Sequence, residues 1–198
     1  MGGTPRYIGA QDLFLGLFIF KNIMKPLSKN IIFVDTEFSS LNPYEGEIIS
    51  IGIVKMNGKS LYLELEYSGK LSPWVKRNIL SDLNQKKVSR KNAIKKIKQF
   101  VGKSNPYVVG YAPQYDALYL NKLFGVNKCP FRWLVIDFAS ILFSDNIDPE
   151  EFFKPKSKFL KKLGINLKDY KQHNALDDAK LLREAYIKFF KLKSYEKK

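Results

Sequence analysis

The sequence predicts an α/β fold: a single domain in which a mixed sheet is covered by helices. Three observations carry this. The chain opens on three apolar or alternating runs joined by short turns, the pattern of antiparallel strands. Helical and strand-like segments then alternate, and a long amphipathic helix closes the chain. The 198 residues suffice to bury one sizeable core.

The elements follow in order. "NIIFVDTEF" (30–38) begins as a continuous Ile/Val/Phe run, as a strand buried on both faces does. "EIISIGIVKM" (47–56) and "KSLYLELEY" (59–67) follow it, with the Asn-Gly pair at 57–58 marking a hairpin. In the third run Leu61, Leu63 and Leu65 alternate with Tyr62, Glu64 and Glu66, which predicts one partly exposed face. "SPWVKRNILSDL" (72–83) reads as a short helix with Pro73 in its first turn. "SRKNAIKKIKQFVG" (89–102) is a clearer one, capped by Ser89 and ended by Gly102. A strand over 106–111, a helix over 114–125, a strand over 131–137 leading into "FASILF", and a short helix near 156–163 come next. The last helix spans about 175–192. Residues 30–192 thus form the domain, 193–198 a basic tail, and 1–29 an appendage or extension. Within that extension "DLFLGLFIF" (12–20) is too short to span a bilayer and lacks the flanks of a secretory signal, so no membrane partner is expected.

Composition narrows the function classes. Lys and Arg number 34 against 19 acids, a net charge of +15 that favours polyanionic partners. The single cysteine, Cys129, cannot form an internal disulfide and reads as a packing residue, consistent with a reducing, cytoplasmic setting.

Chemistry is expected where acids interrupt apolar patterns. Asp35 and Glu37 break the first strand near its C-terminal end and, two residues apart, share a face. Paired carboxylates beside a buried strand repel and lose hydration, costs that a divalent cation relieves. Asp116 sits in the first turn of its helix, where the helix dipole alone accounts for an acid. In "HNALDDAK" (173–180), Asn174 suits an N-cap and Asp177 the third helical position, a capping place. Helical phase puts Asp178 instead with Ala175, Leu182, Ala185 and Phe189, facing the sheet, and Asp177 with Leu181, Glu184 and Lys188 on a wetter side. His173, the only histidine, is five residues from Asp178, about 140° round a helix, and so belongs to the preceding loop, where a general base could face a metal-activated water. Asp137 is expected to cap the helix that follows it, and Trp74 and Tyr115 to be buried.

Asp-x-Glu, a later Asp, and His-x4-Asp in this order resemble the DEDDh (DnaQ/RNase T-like) 3′–5′ exonucleases, over residues 31 to about 190. "DTEF", "WVKRNILSDL" (74–83) and "YAPQYDALYLNKLFG" are similar to the bacterial polyadenylate-specific exoribonucleases, whereas "GYA" (110–112) replaces the Gly-His-Asn of many DEDDh enzymes. The resemblance implies an RNase H-like mixed sheet flanked by helices and two Mg²⁺ or Mn²⁺ ions held by Asp35, Glu37 and Asp178, with Asp116 completing the site. It further implies His173 as the base that takes a proton from the attacking water, with Phe38, and beside it Thr36, as substrate contacts. The implied activity is stepwise release of nucleoside 5′-monophosphates from single-stranded, adenylate-rich RNA by a homodimer. A DNA or oligoribonucleotide exonuclease of the same fold, or an inert RNA-binding module, are the alternatives.

Overall fold

A computed structural model describes residues 25–69 and 71–196; the expectations for residues 1–24 and 197–198 lie outside the described residues. Five strands form one sheet in the order β3-β2-β1-β4-β5: β1 (Ile31–Phe38), β2 (Ile48–Lys55), β3 (Ser60–Glu64), β4 (Tyr107–Gly110) and β5 (Val135–Asp137). β2 pairs antiparallel with both β1 and β3, while β4 is parallel to β1 and β5 to β4. The mixed sheet predicted from the sequence is therefore present, with the apolar run of β1 at its centre.

Among the described residues six α-helices cover it: α1 (Pro73–Asn78), α2 (Arg90–Val101), α3 (Gln114–Phe124), α4 (Phe138–Ser144), α5 (Lys158–Lys162) and α6 (Ala175–Glu196). The alternation along β1 sorts them. Ile32 and Val34 pack with Ile97 of α2 and Leu120 of α3, whereas Phe33 packs with Phe138 of α4 and Leu182 and Phe189 of α6. Caps follow the sequence: the side chains of Ser72, Ser89 and Asp137 accept N–H bonds from the first turns of α1, α2 and α4. No described helix is long and apolar enough to cross a membrane.

Several boundaries and faces depart from the sequence pattern. The strand expected over 131–137 is reduced to three residues, because β4 offers only Val108–Gly110 as partners. Glu64 lies on the predicted open face of β3 yet is 1% exposed; its carboxylate accepts the backbone N–H groups of Asn84 and Gln85 at 2.9 and 3.0 Å, which satisfies it in place of water. Leu181, assigned to the wetter side of the last helix, is buried, since the sheet and the 152–165 segment together enclose more than one stripe of α6. That helix also continues through Glu196, so the first residues of the expected tail are helical.

The approach of α6 to the sheet has a specific origin. A Cβ on Gly52 of β2 would lie 2.1 Å from the Ala175 carbonyl oxygen and 2.5 Å from the Leu176 nitrogen. Only glycine lets the first turn of α6 rest on the strand, and Gly52 is the register partner of Asp35. Gly52→Ala should force backbone against backbone, costing about 1–3 kcal/mol in denaturant unfolding. It should also reduce any activity that needs residue 178, and an unchanged unfolding midpoint would contradict this account of the contact.

Candidate active site

β1 and α6 supply the carboxylates. Asp35 and Glu37 project from the sheet face on which α6 lies, and Asp178 is reached three residues after the Ala175 contact with Gly52. Ligand oxygens of Asp35, Glu37 and Asp178 all lie within 4.8 Å of one another. Asp178 Oδ1 is buried and has no hydrogen-bond partner. The inward turn predicted for Asp178 by helical phase is thus observed. Asp177 is separated from it as expected, by different contacts: its carboxylate accepts the Lys171 N–H at 3.3 Å and pairs with Lys180 at 2.9 Å. Capping falls to Asn174, whose Oδ1 accepts the Asp177 N–H at 3.2 Å.

Asp116 stands apart from the trio. It comes from α3, on the other side of the sheet, and its Oδ1 accepts both the Thr36 N–H at 2.8 Å and the Thr36 hydroxyl at 2.6 Å. Thr36 faces that side because it alternates with Asp35 and Glu37. It is buried, and its hydroxyl proton is committed to Asp116, so it fixes that acid at the rim of the cavity. Phe38, after an irregularity in the β1–β2 register at Glu37/Phe38, is half-buried and stacks on Tyr119 with centroids 4.6 Å apart.

Asp35, Thr36, Glu37, Phe38, Asp116 and Asp178 line a single cavity of about 510 Å³ together with Tyr111, Tyr115, Phe153, Gln172 and His173. His173 lies in the loop before α6, exposed, at a φ of 60°. Trp74, expected to be buried, is 47% exposed instead, and its ring meets the imidazole edge-on at 5.0 Å. Its position at the first turn of α1 faces that loop, which the Lys171–Asp82 ion pair at 2.6 Å also holds. Asp137 does more than cap α4: its Oδ1 also accepts the N–H of Ala112, which has a φ of 49°, and so fixes the "GYA" loop on the cavity wall. Among the wall residues Phe153 and Gln172 were not singled out in the sequence, whereas Tyr111, directly after β4, belongs to the "GYA" segment noted there.

The electrostatics are those of acids held together without counter-charge. Burial, then Asp116, Asp178 and Glu37, pushes Asp35 well above the ordinary carboxylate range. Burial and the neighbouring Asp178 and Asp116 raise Glu37 to about 8. Asp178 rises to about 7 through burial, opposed by the His173 backbone. Asp116 rises only to about 6 because the Thr36 bonds oppose its burial. An all-oxygen donor set with a buried orphan oxygen suits a hard divalent cation such as Mg²⁺ or Mn²⁺.

Two outcomes are expected. A carboxyl whose folded pKa exceeds its unfolded value binds a proton on folding, so stability is full below the ordinary carboxylate range and is lost as pH rises through the folded value. Metal-free protein should therefore lose stability from pH about 4 to about 8. Asp178→Asn should make the decline shallower, and Mn²⁺ should raise the melting temperature at pH 8 in the parent but not in this variant. Equal slopes and equal metal shifts would contradict the clustering. The sole histidine gives one pair of imidazole C–H signals in NMR; Trp74→Ala should move both, and Trp74→Phe should move them less.

No protein-family model matches the sequence, and no curated protein matches it either. Solved structures do match. The zinc-bound E. coli exonuclease I–ssDNA complex aligns with a TM-score of 0.61 at 14% identity, over 82% of this chain and 40% of that one. A further exonuclease I structure gives 0.60 at 16% identity, over 83% and 42%. A chain from the yeast NOT1 MIF4G domain co-crystallized with CAF1 gives 0.56 at 11% identity, over 93% and 87%. The chain spans about two fifths of the length of the exonuclease I chains it matches. The protein therefore has the RNase H-like α/β fold found in exonuclease I.

Proposed function

We propose that the protein is a metal-dependent 3′–5′ exonuclease that hydrolyses single-stranded nucleic acid to nucleoside 5′-monophosphates, with adenylate-rich RNA as its substrate. The observation that carries this is the meeting of Asp35, Glu37 and Asp178 oxygens within 4.8 Å at the end of a central strand, beside an exposed histidine. Asp35, Glu37 and Asp178 would hold the cations, with Asp116 fixed nearby by Thr36. Bound there, divalent ions would lower the pKa of the attacking water and stabilise charge on the leaving 3′ oxygen. His173, outside the acidic trio and on the same cavity, is available to take the water's proton. Phe38, which lines the same cavity, would offer its ring to the terminal base or sugar.

Support for RNA comes from "DTEF", "WVKRNILSDL" and "YAPQYDALYLNKLFG", which resemble polyadenylate-specific exoribonucleases. A DNA substrate is the second reading, favoured by the ssDNA and dA16 complexes of the exonuclease I neighbours.

Incubation with 5′-labelled poly(A), mixed-sequence RNA and single-stranded DNA, in Mn²⁺ or EDTA, separates these readings. Stepwise shortening of poly(A) first, and only with metal, is expected; DNA shortened faster would select the second reading. Asp178→Asn should lower turnover by 100-fold or more, the order typical for loss of a metal or transition-state contact. Asp177→Asn should leave turnover near the parent's and cost about 1 kcal/mol of stability or less. Equal losses in both variants would sink the assignment.

A further inference from the structure

The +15 charge is unevenly placed. Between residues 154 and 171, "KPKSKFLKKLGINLKDYK", seven lysines face one acid, Asp169. On α6, by contrast, Lys180 pairs with Asp177 and Lys188 with Glu184. At the ends of the basic segment Lys154 pairs with Asp148 and Glu151, and Lys171 with Asp82. Lys156, Lys158, Lys161 and Lys168 are exposed, and among the described residues no ion pair is formed by any of them. A cluster of like charges left unpaired is a cost unless a polyanion uses it.

These lysines line a connected surface. The carboxylate cavity is bounded on one side by Gln172. Gln172 also lines a smaller depression of about 260 Å³ with Lys168, Tyr170, Pro155 and Leu167. Pro155 and Leu167 in turn line a third, of about 590 Å³, whose walls carry Lys156, Lys158 and Lys161. Through these shared residues the three depressions adjoin in a row, a path on the α5–α6 side of the sheet where Asp35, Glu37 and Asp178 also open. The Gln172 side-chain amide donates to the Phe153 carbonyl at 3.3 Å and so ties the two banks together at the neck.

We propose that this path is the track for the upstream part of the substrate. The strand would lie with its 3′ end at the carboxylates, cross Gln172 and Tyr170, and set its phosphates against Lys156, Lys158 and Lys161. The proposal rests on the exonuclease reading for the strand's direction and adds a length-dependent binding site to it. Acids at one end and unpaired lysines at the other suit a polyanion whose reacting phosphate is bridged by cations and whose remaining phosphates are not. Tyr170 gives the neck a ring for a base to stack on.

The test compares the full-length parent with a Lys156→Ala/Lys158→Ala/Lys161→Ala variant. A second variant, Lys91→Ala/Lys95→Ala/Lys96→Ala, makes the same charge change on exposed positions of α2, across the sheet. Binding of a 5′-labelled 12-nucleotide oligoadenylate is measured by anisotropy in EDTA over a salt series, and hydrolysis of that oligonucleotide and of a labelled ApA dinucleotide is measured in Mn²⁺. The track variant should bind the 12-mer 10-fold or more weakly. Its slope of log affinity against log salt should fall by about 2, from roughly 0.7 per phosphate contact on a single strand. It should cleave the dinucleotide at the parent's rate and match the parent's melting temperature, while the α2 variant should match the parent in 12-mer binding. Unchanged 12-mer binding, equal loss in both variants, or equal loss on dinucleotide and 12-mer would overturn the track. A parent that binds the 12-mer through these lysines but cleaves nothing would overturn the exonuclease reading and keep the site.

Discussion

The site depends on one close approach, the first turn of α6 lying against Gly52 with no side chain between them. Everything chemical follows from that distance. It sets Asp178 over the strand end where Asp35 and Glu37 emerge, and it leaves a carboxylate oxygen buried without a partner. The desolvation and repulsion this creates are unfavourable to the protein alone, and they become favourable when a cation is shared. Packing elsewhere has to hold the arrangement, and the aromatic cluster of Phe33, Phe138, Tyr186 and Phe189 beneath α6 does so.

The two sides of β1 divide the labour. One side presents Asp35 and Glu37 to α6; the other presents Thr36 to α3, and through it Asp116. An acid that receives two hydrogen bonds is oriented but electrostatically calmer, which is why Asp116 rises least among those given a value. The histidine belongs to neither side. It is carried by a loop braced by Trp74 and by the Lys171–Asp82 pair, and its backbone also hydrogen-bonds Asp178.

Much of this was legible in the sequence because it rests on periodicity. Alternation put Asp35 with Glu37, and the 3.6-residue repeat separated Asp178 from Asp177. Local caps at Ser89, Asn174 and Asp137 were legible from the local pattern as well. What periodicity could not show were contacts made across the chain. Glu64 reads as an exposed strand residue, and its burial depends on backbone donors twenty residues away. Trp74 reads as core, and its partner lies almost a hundred residues on. The role of Gly52 requires knowing what rests on it, and the row of three depressions adjoining at Gln172, Pro155 and Leu167 exists only once the fold is assembled.

The acidic trio joins the first strand of the sheet to its last helix. During synthesis, residues 35 and 37 are made long before residue 178, and the intervening strands must be in place before α6 has a sheet to dock on. A nascent or interrupted chain thus carries two acids and an incomplete cation cage. The cluster closes only once the helix carrying residue 178 has docked, so a chain interrupted before it would hold Asp35 and Glu37 without their third partner.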